Sequence, residues 1–384
     1  MIARIHPSRA AGRIMAPPSK SMAHRLLIAA GLAGDEGLIS GIDWSEDLLA
    51  TRDCLRALRS GETLCCRESG STLRFFIPLA LLGSEAVSFR GSERLMSRPL
   101  GVYETLCREQ GLYFAKNGQT LRVCGPLRPG RFELPGDVSS QFVTGLLFAL
   151  PQLSEDSVIA LRPPVESRSY IELTLSVLRR FGVEAEWIDE NTLRVPGKQR
   201  FLPCKARVEG DWSNAAFLSA FNLLGGNVTV AGLDSDSLQG DKVYIKHYPV
   251  LESGFAEISL TDCPDLGPVL FAMAAEKRGA HFTGTRRLRI KESDRAEAMA
   301  AELRKFGADM EIGEDEVWIR PAVLHAPPEA LCGHNDHRIV MALSLLLTKY
   351  GGSIRGAEAV RKSYPGFFED IKKLGIEVEQ DYGD

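Results

Sequence analysis

Hydrophobic and basic positions recur along this chain in one order: an amphipathic stretch carrying Leu, Ile or Phe with Arg or Lys, then a glycine, then an extended stretch that opens the next element. The clearest copies are LRRFGVEAEW around Gly182, LRKFGADMEI around Gly307 and IKKLGIEVEQ around Gly375. Weaker ones are LCREQGLYFA around Gly111, LRALRSGETL around Gly61 and LESGFAEISL around Gly254. A basic last turn complements the helix dipole, glycine takes the left-handed position just past a helix, and the alternation that follows is that of a strand. Each copy therefore predicts helix, stop and strand. The glycines are spaced by roughly 50 to 70 residues, too far for a solenoid repeat and suited to a small unit of two helices and several strands. Helix, glycine and strand also follow one another in any α/β protein, a reading that fits the weaker copies. Segments such as SVIALRPP, NVTVAGL, HFTGT and EVWIRPA supply further strands. The expected class is α/β (α+β) with internal symmetry.

Composition narrows the partners. The 384 residues, 44% hydrophobic and 25% charged, suit an ordinary globular protein of two or three domains. A formal net charge of -4 carries no electrostatic footprint for nucleic acid. The N-terminal segment lacks an apolar signal core, and apolar runs such as Phe75 to Leu82 are too short to cross a bilayer, so the expected location is the cytoplasm, with no membrane partner. Eight scattered cysteines without a CxxC pair read as reduced thiols. His334 and His337 form an HxxH with no third ligand at a recognisable spacing, so neither a metal nor a cofactor is expected.

Candidate chemistry lies in four clusters. PPSKSMAHR places Ser19, Lys20, Ser21 and Arg25 at the start of an apolar helix, where free backbone N–H groups favour an anion. RESGSTLR repeats that physics with Gly70 and Arg74. Ser139, Ser140 and Gln141 open a third helix, and ESRSY adds Ser167, Arg168 and Tyr170, donors suited to a hydroxylated, phosphorylated ligand. Each of these segments alone is also a simple helix cap. The fourth cluster combines PDLGP, LRIKESDR, NDHR and KSYPGFFED, putting Asp265, Lys291, Glu292, Arg295, His337, Arg338 and Lys362 beside apolar helix faces, where charge is costly unless paired or used.

The ordered set SKSMAHR, SGSTLR, SRPL, SSQF, EGDWSNAA, PDLGP, LRIKESDR, NDHR and KSYPGFFED resembles the 5-enolpyruvylshikimate-3-phosphate synthase family of enolpyruvyl transferases along nearly the whole chain. The resemblance implies a two-lobed fold, each lobe three copies of a small βαβαββ unit. One lobe would hold residues 1–17 and 209–384 and the other 18–208, with ligands in the cleft between them. It implies shikimate 3-phosphate and phosphoenolpyruvate as substrates, no cofactor, and a monomer. Shikimate 3-phosphate would fall to Ser21, Arg25, Ser139, Ser140, Gln141, Ser167, Tyr170, Asp265 and Lys291. Phosphoenolpyruvate would fall to Lys20, Gly70, Arg98, Gln141, Arg295, Arg338 and Lys362. Asp265 is the candidate base for the 5-hydroxyl and Glu292 the candidate proton donor to C3, with Lys20 and Lys291 as alternative proton carriers. The chain departs from the pattern twice: Glu68 stands where the family usually carries Asn, and the segment from Leu55 to Glu68 is short by about a strand pair, which predicts one truncated unit. Two rival readings are an enolpyruvyl transferase with another acceptor, such as a UDP-sugar, and a non-catalytic binder of phosphorylated metabolites.

Overall fold

In the computed structural model, which describes residues 1–383, the chain divides into two compact units. Unit 1 joins Met1–Ser19 to the segment from Glu209 to the C-terminus; unit 2 is Lys20–Val208. Unit 2 carries α1 (Lys20–Leu32), α2 (Glu46–Ser60), α3 (Gly70–Ala80), α4 (Glu93–Ser97), α5 (Gly101–Gln110), α6 (Ser140–Ala149) and α7 (Arg168–Arg180). Unit 1 carries α8 (Trp212–Ala220), α9 (Tyr244–Ser253), α10 (Gly267–Glu276), α11 (Arg295–Leu303), α12 (His337–Tyr350) and α13 (Phe367–Lys373).

One sheet design is used four times. In unit 2, Leu64–Arg67 lies parallel to Ala86–Gly91, followed by Thr120–Cys124 and Tyr113–Asn117, both antiparallel to their neighbours. Arg131–Pro135, Ser157–Arg162, Thr192–Val195 and Glu186–Trp187 repeat that order. In unit 1, Ala256–Ser259, Ala280–Thr283, Glu316–Arg320 and Asp309–Ile312 do the same. The fourth sheet runs Leu331–Cys332, Gly352–Arg355, Ile2–Ile5, Val378–Asp381, so the N-terminal strand fills a place that in the other three belongs to the local segment. Alternation explains why these segments are strands: in Glu316–Arg320, Val317 and Ile319 are buried while the terminal Glu and Arg face water.

Each unit also has a third, reduced sheet of two parallel strands, Ile39–Ser40 with Ala206–Arg207 in unit 2 and Ala11–Met15 with Asn227–Ala231 in unit 1. The shortening anticipated between Leu55 and Glu68 is present, since α2 passes through Gly61 directly into Leu64–Arg67. The expectation of a single truncated repeat is corrected, because a second repeat is equally short. In unit 1, α9 leads with equal abruptness into Ala256–Ser259.

Helices that are apolar all round belong in an interior. In α10 every residue from Gly267 to Ala275 is buried, and in α12 every residue from His337 to Thr348. α10 packs on α12, while α3 packs on α6 and α6 on α7. Each unit thereby has its own hydrophobic core. Of the six punctuating glycines, Gly61, Gly111, Gly182, Gly307 and Gly375 take left-handed φ values of 70 to 90°. Gly254 does not: its φ is 172°, so α9 opens into extended backbone that any residue could adopt. The eight cysteines are free thiols. Among the described residues no helix is long and apolar enough to cross a membrane.

Candidate active site

In unit 2 the helix starts gather the polar residues. Arg25, one turn into α1, is 2% exposed. Its Nε donates to Thr174 Oγ1 at 2.9 Å, Nη1 to the Ser21 carbonyl at 2.7 Å, and Nη2 to the Tyr170 carbonyl at 3.1 Å and Thr144 Oγ1 at 3.3 Å. The guanidinium lies over the rings of Phe75 and Tyr170. Every one of these partners is neutral, and among the described residues no carboxylate pairs with it. Burial pushes its pKa down to about 10, the response expected of a desolvated cation lacking a counter-charge.

Lys20, the first residue of α1, pairs with Asp47 Oδ2 of α2 at 2.8 Å. α3 begins at Gly70, capped by Ser69 Oγ, which accepts from the Thr72 N–H. A Cβ on Gly70 would stand 2.5 Å from Arg98 Nη1 and 3.1 Å from Arg74 Nη1, so the missing side chain is what lets both guanidinium groups approach the loop. Arg74 in turn donates to Gln141 Oε1 at 2.7 Å, and Gln141 Nε2 donates to Ser71 Oγ at 2.9 Å, tying α3 to the start of α6. Ser139 caps α6 by accepting from the Gln141 N–H, and Ser140 is buried. Ser167 holds a left-handed φ of 56° ahead of α7 and does not cap it. That conformation is uncommon for a residue other than glycine and is strained. Arg168 is directed elsewhere, lying 4.0 Å over the Trp187 ring with Nη1 on the Glu190 carbonyl. Glu68 is half-buried just before the Ser69 cap.

Unit 1 concentrates its charge around Asp265, beside the start of α10. Asp265 Oδ1 pairs with Arg295 Nη1 at 2.8 Å and Lys291 Nζ at 3.2 Å, and Oδ2 with Arg338 Nη2 at 2.9 Å. Burial alone would raise this carboxyl; Arg338, Lys291 and Arg295 outweigh it and hold it well below the usual carboxylate range. Burial lowers Lys291, with Asp265 opposing. Arg295 also reaches Glu292 Oε2 at 2.8 Å and Asp336 Oδ2 at 2.9 Å. Arg338 donates to Ser213 Oγ at the start of α8. Lys362 Nζ donates to the Asn335 carbonyl at 2.6 Å, one residue before Asp336. Asp265, Lys291, Glu292, Arg295 and Arg338 are thus brought into direct contact, with Lys362 held at the adjoining turn. His334 is occupied by Glu302, 2.9 Å from its Nε2.

Several supporting residues escape a reading of the sequence. Asp336 is fully buried, caps α12 by accepting from the Arg338 N–H, and anchors Arg295. The Asp in NDHR directly before an apolar run is its only local signal, that of a cap. Asp47, Thr144, Thr174 and Ser213 carry no signal at all. One feature legible in the sequence points to anions: α1 and α11 begin with Lys20 and Arg295, and Arg338 is second in α12. Cations there oppose the helix dipole, so they do not stabilise their own helices and instead add to the positive potential of the helix N-termini.

The fold is similar to those of solved EPSP synthases and of another enolpyruvyl transferase. A solved EPSP synthase from Acinetobacter baumannii superposes with a TM-score of 0.75 at 22% identity, covering 99% of this chain and 100% of that one. The enolpyruvyl transferase NikO from Streptomyces tendae gives 0.77 at 12% identity, covering 100% and 99%. The family profile described as EPSP synthase (3-phosphoshikimate 1-carboxyvinyltransferase) matches residues 5–64 and 60–371. A 3-phosphoshikimate 1-carboxyvinyltransferase from Clostridium kluyveri is 38% identical, covering 98% of each chain, and one from Clostridioides difficile is 34% identical over the same shares. The chain belongs to the EPSP synthase family.

Proposed function

We propose that this chain transfers the 1-carboxyvinyl group of phosphoenolpyruvate to the 5-hydroxyl of shikimate 3-phosphate, releasing phosphate, as a step of aromatic biosynthesis. It would act as a cytoplasmic monomer on small molecules. The observation that carries this reading beyond family membership is Arg25, a buried guanidinium with only neutral partners, flanked on its helix by Ser21 and Lys20. A bound anion would supply the counter-charge that its neutral partners do not. The 3-phosphate of the acceptor is that anion, with Ser139, Ser140, Gln141, Ser167 and Tyr170 serving its remaining oxygens. Lys20, Gly70, Arg98, Gln141, Arg295, Arg338 and Lys362 are the residues assigned to phosphoenolpyruvate.

The 5-hydroxyl attacks C2 of phosphoenolpyruvate as C3 gains a proton, and the tetrahedral adduct then loses that proton and phosphate. Asp265, held ionised by three cations, takes the hydroxyl proton once substrate draws some of that charge away. Glu292, once released from Arg295 and protonated from solvent, delivers that proton to C3. Lys291 is the second candidate carrier; burial lowers its pKa, with Asp265 opposing. The cations stabilise charge developing on the departing phosphate.

The test is phosphate release from the purified protein with phosphoenolpyruvate, with and without shikimate 3-phosphate, alongside Lys20→Met. Release that needs both substrates and falls by at least about 100-fold in the variant is expected. Tight shikimate 3-phosphate binding without release would reassign the chain as a binding protein.

A further inference from the structure

Behind the Lys20 end of α1 a line of buried hydroxyls runs between three helices. His24, one turn beyond Lys20, meets Thr51 of α2, with 2.7 Å between Nδ1 and Oγ1. Thr51 Oγ1 lies 2.8 Å from Thr72 Oγ1 of α3, and Thr72 donates to Ser69 Oγ at 2.7 Å. The line ends on the residue before Gly70, at the loop against which Arg98 rests. Lys20 and His24 share one face of α1, and Asp47 and Thr51 share one face of α2, so α1 and α2 meet through an ionic rung and a neutral rung.

The direction of the chain is determined by its far end. Thr72 spends its hydroxyl proton on Ser69, so it accepts from Thr51, and Thr51 accepts from His24. His24 is then the Nδ1–H tautomer. Its buried Nε2 has no hydrogen-bond partner among the described residues. Burial, followed by the nearby charges of Lys20 and Arg25, lowers its pKa well below 6.5, so the ring stays neutral.

We propose that His24 is a positioning residue for the phosphoenolpyruvate clamp, acting through the one-way chain His24–Thr51–Thr72–Ser69 to fix the Gly70 loop, and with it Arg98, relative to Lys20. The inference rests on the assignment of Lys20, Gly70 and Arg98 to phosphoenolpyruvate made above. Thr51→Val keeps the shape and removes both hydrogen bonds; His24→Leu removes the donor; His24→Asn keeps an N–H in place of Nδ1.

Steady-state phosphate release by the full chain is the assay. Thr51→Val and His24→Leu should each raise KM for phosphoenolpyruvate by about tenfold while leaving KM for shikimate 3-phosphate unchanged. The double variant should be no worse than either single one, and His24→Asn should restore most of the loss. Both KM values rising together, additive losses, or a His24→Asn variant as impaired as His24→Leu would overturn the proposal. Should His24→Leu not fold, Thr51→Val alone decides by the same split. A nitrogen-15 spectrum of the wild-type imidazoles reads the chain independently: Nδ1–H with bare Nε2 is expected for His24, and Nε2–H overturns it. A wild-type protein that releases no phosphate with both substrates would defeat the functional reading and the clamp role together, whatever the tautomer.

Discussion

The buried guanidinium groups of this chain differ in whether a carboxylate stands beside them. Arg295 has carboxylate partners at Asp265, Glu292 and Asp336, while Arg25 has none among the described residues. Gly70 shows how finely such groups are placed. Gly70→Ala would set a methyl 2.5 Å from Arg98 Nη1, so Arg98 must move. KM for phosphoenolpyruvate should rise by about tenfold or more with KM for shikimate 3-phosphate unchanged, read from the same kinetics. Asp265→Asn should lower kcat by at least about 100-fold; wild-type turnover would remove it as the base. Its charge also leaves a mark on stability. The folded carboxyl lies below its ordinary value, so its contribution is complete above about pH 4 and is lost as pH falls through the folded value. Melting temperatures of wild type and Asp265→Asn, measured across pH, should differ near neutrality and converge in acid.

At the scale of elements, caps decide which helix starts are structural and which are free to serve a ligand. Asp336 does two things at once: it accepts from the Arg338 N–H at 2.9 Å and pairs with Arg295 at 2.9 Å, so one buried side chain orients the first turns of α11 and α12. Asp336→Ala removes a cap and strands a buried guanidinium, and should destabilise the protein by about 3–5 kcal/mol, measured by urea denaturation. A loss below about 1 kcal/mol would mean that the cap alone matters. Cap and helix were readable from the sequence, because Asp followed by an apolar run is a local signal. The pairing with Arg295, 41 residues earlier, was not, because nothing local distinguishes a carboxylate that meets a distant arginine from one that meets water.

For the molecule as a whole, the two units differ in how the chain builds them. Unit 2 is one continuous segment with its own core and sheets. Unit 1 needs the N-terminus, since Ile2–Ile5 lies between Gly352–Arg355 and Val378–Asp381. A fragment of residues 20–208 should therefore unfold cooperatively on its own, whereas a fragment from residue 209 onward should not fold until residues 1–19 are supplied, linked or in trans. Thermal melts of the two fragments check this; a cooperative melt of the second alone would show that the central strand is dispensable.

Local physics made much of this protein legible in its sequence. Glycine past a basic turn marked helix ends at five positions, alternation marked the strands, and polar residues at apolar helix starts marked the segments proposed to bind ligand. At Gly254 the helix ends and the strand follows as expected, but the left-handed turn does not form, because a glycine in extended backbone looks the same in sequence as one in such a turn. Only the tertiary structure decided that Ile2–Ile5 completes the last sheet, that both units carry a reduced third sheet, and that Asp47, Asp336 and the threonines beside Arg25 and His24 are partners of the candidate residues. Those outcomes depend on contacts between residues far apart in the chain, and side-chain identity at one position does not say which distant group will arrive beside it.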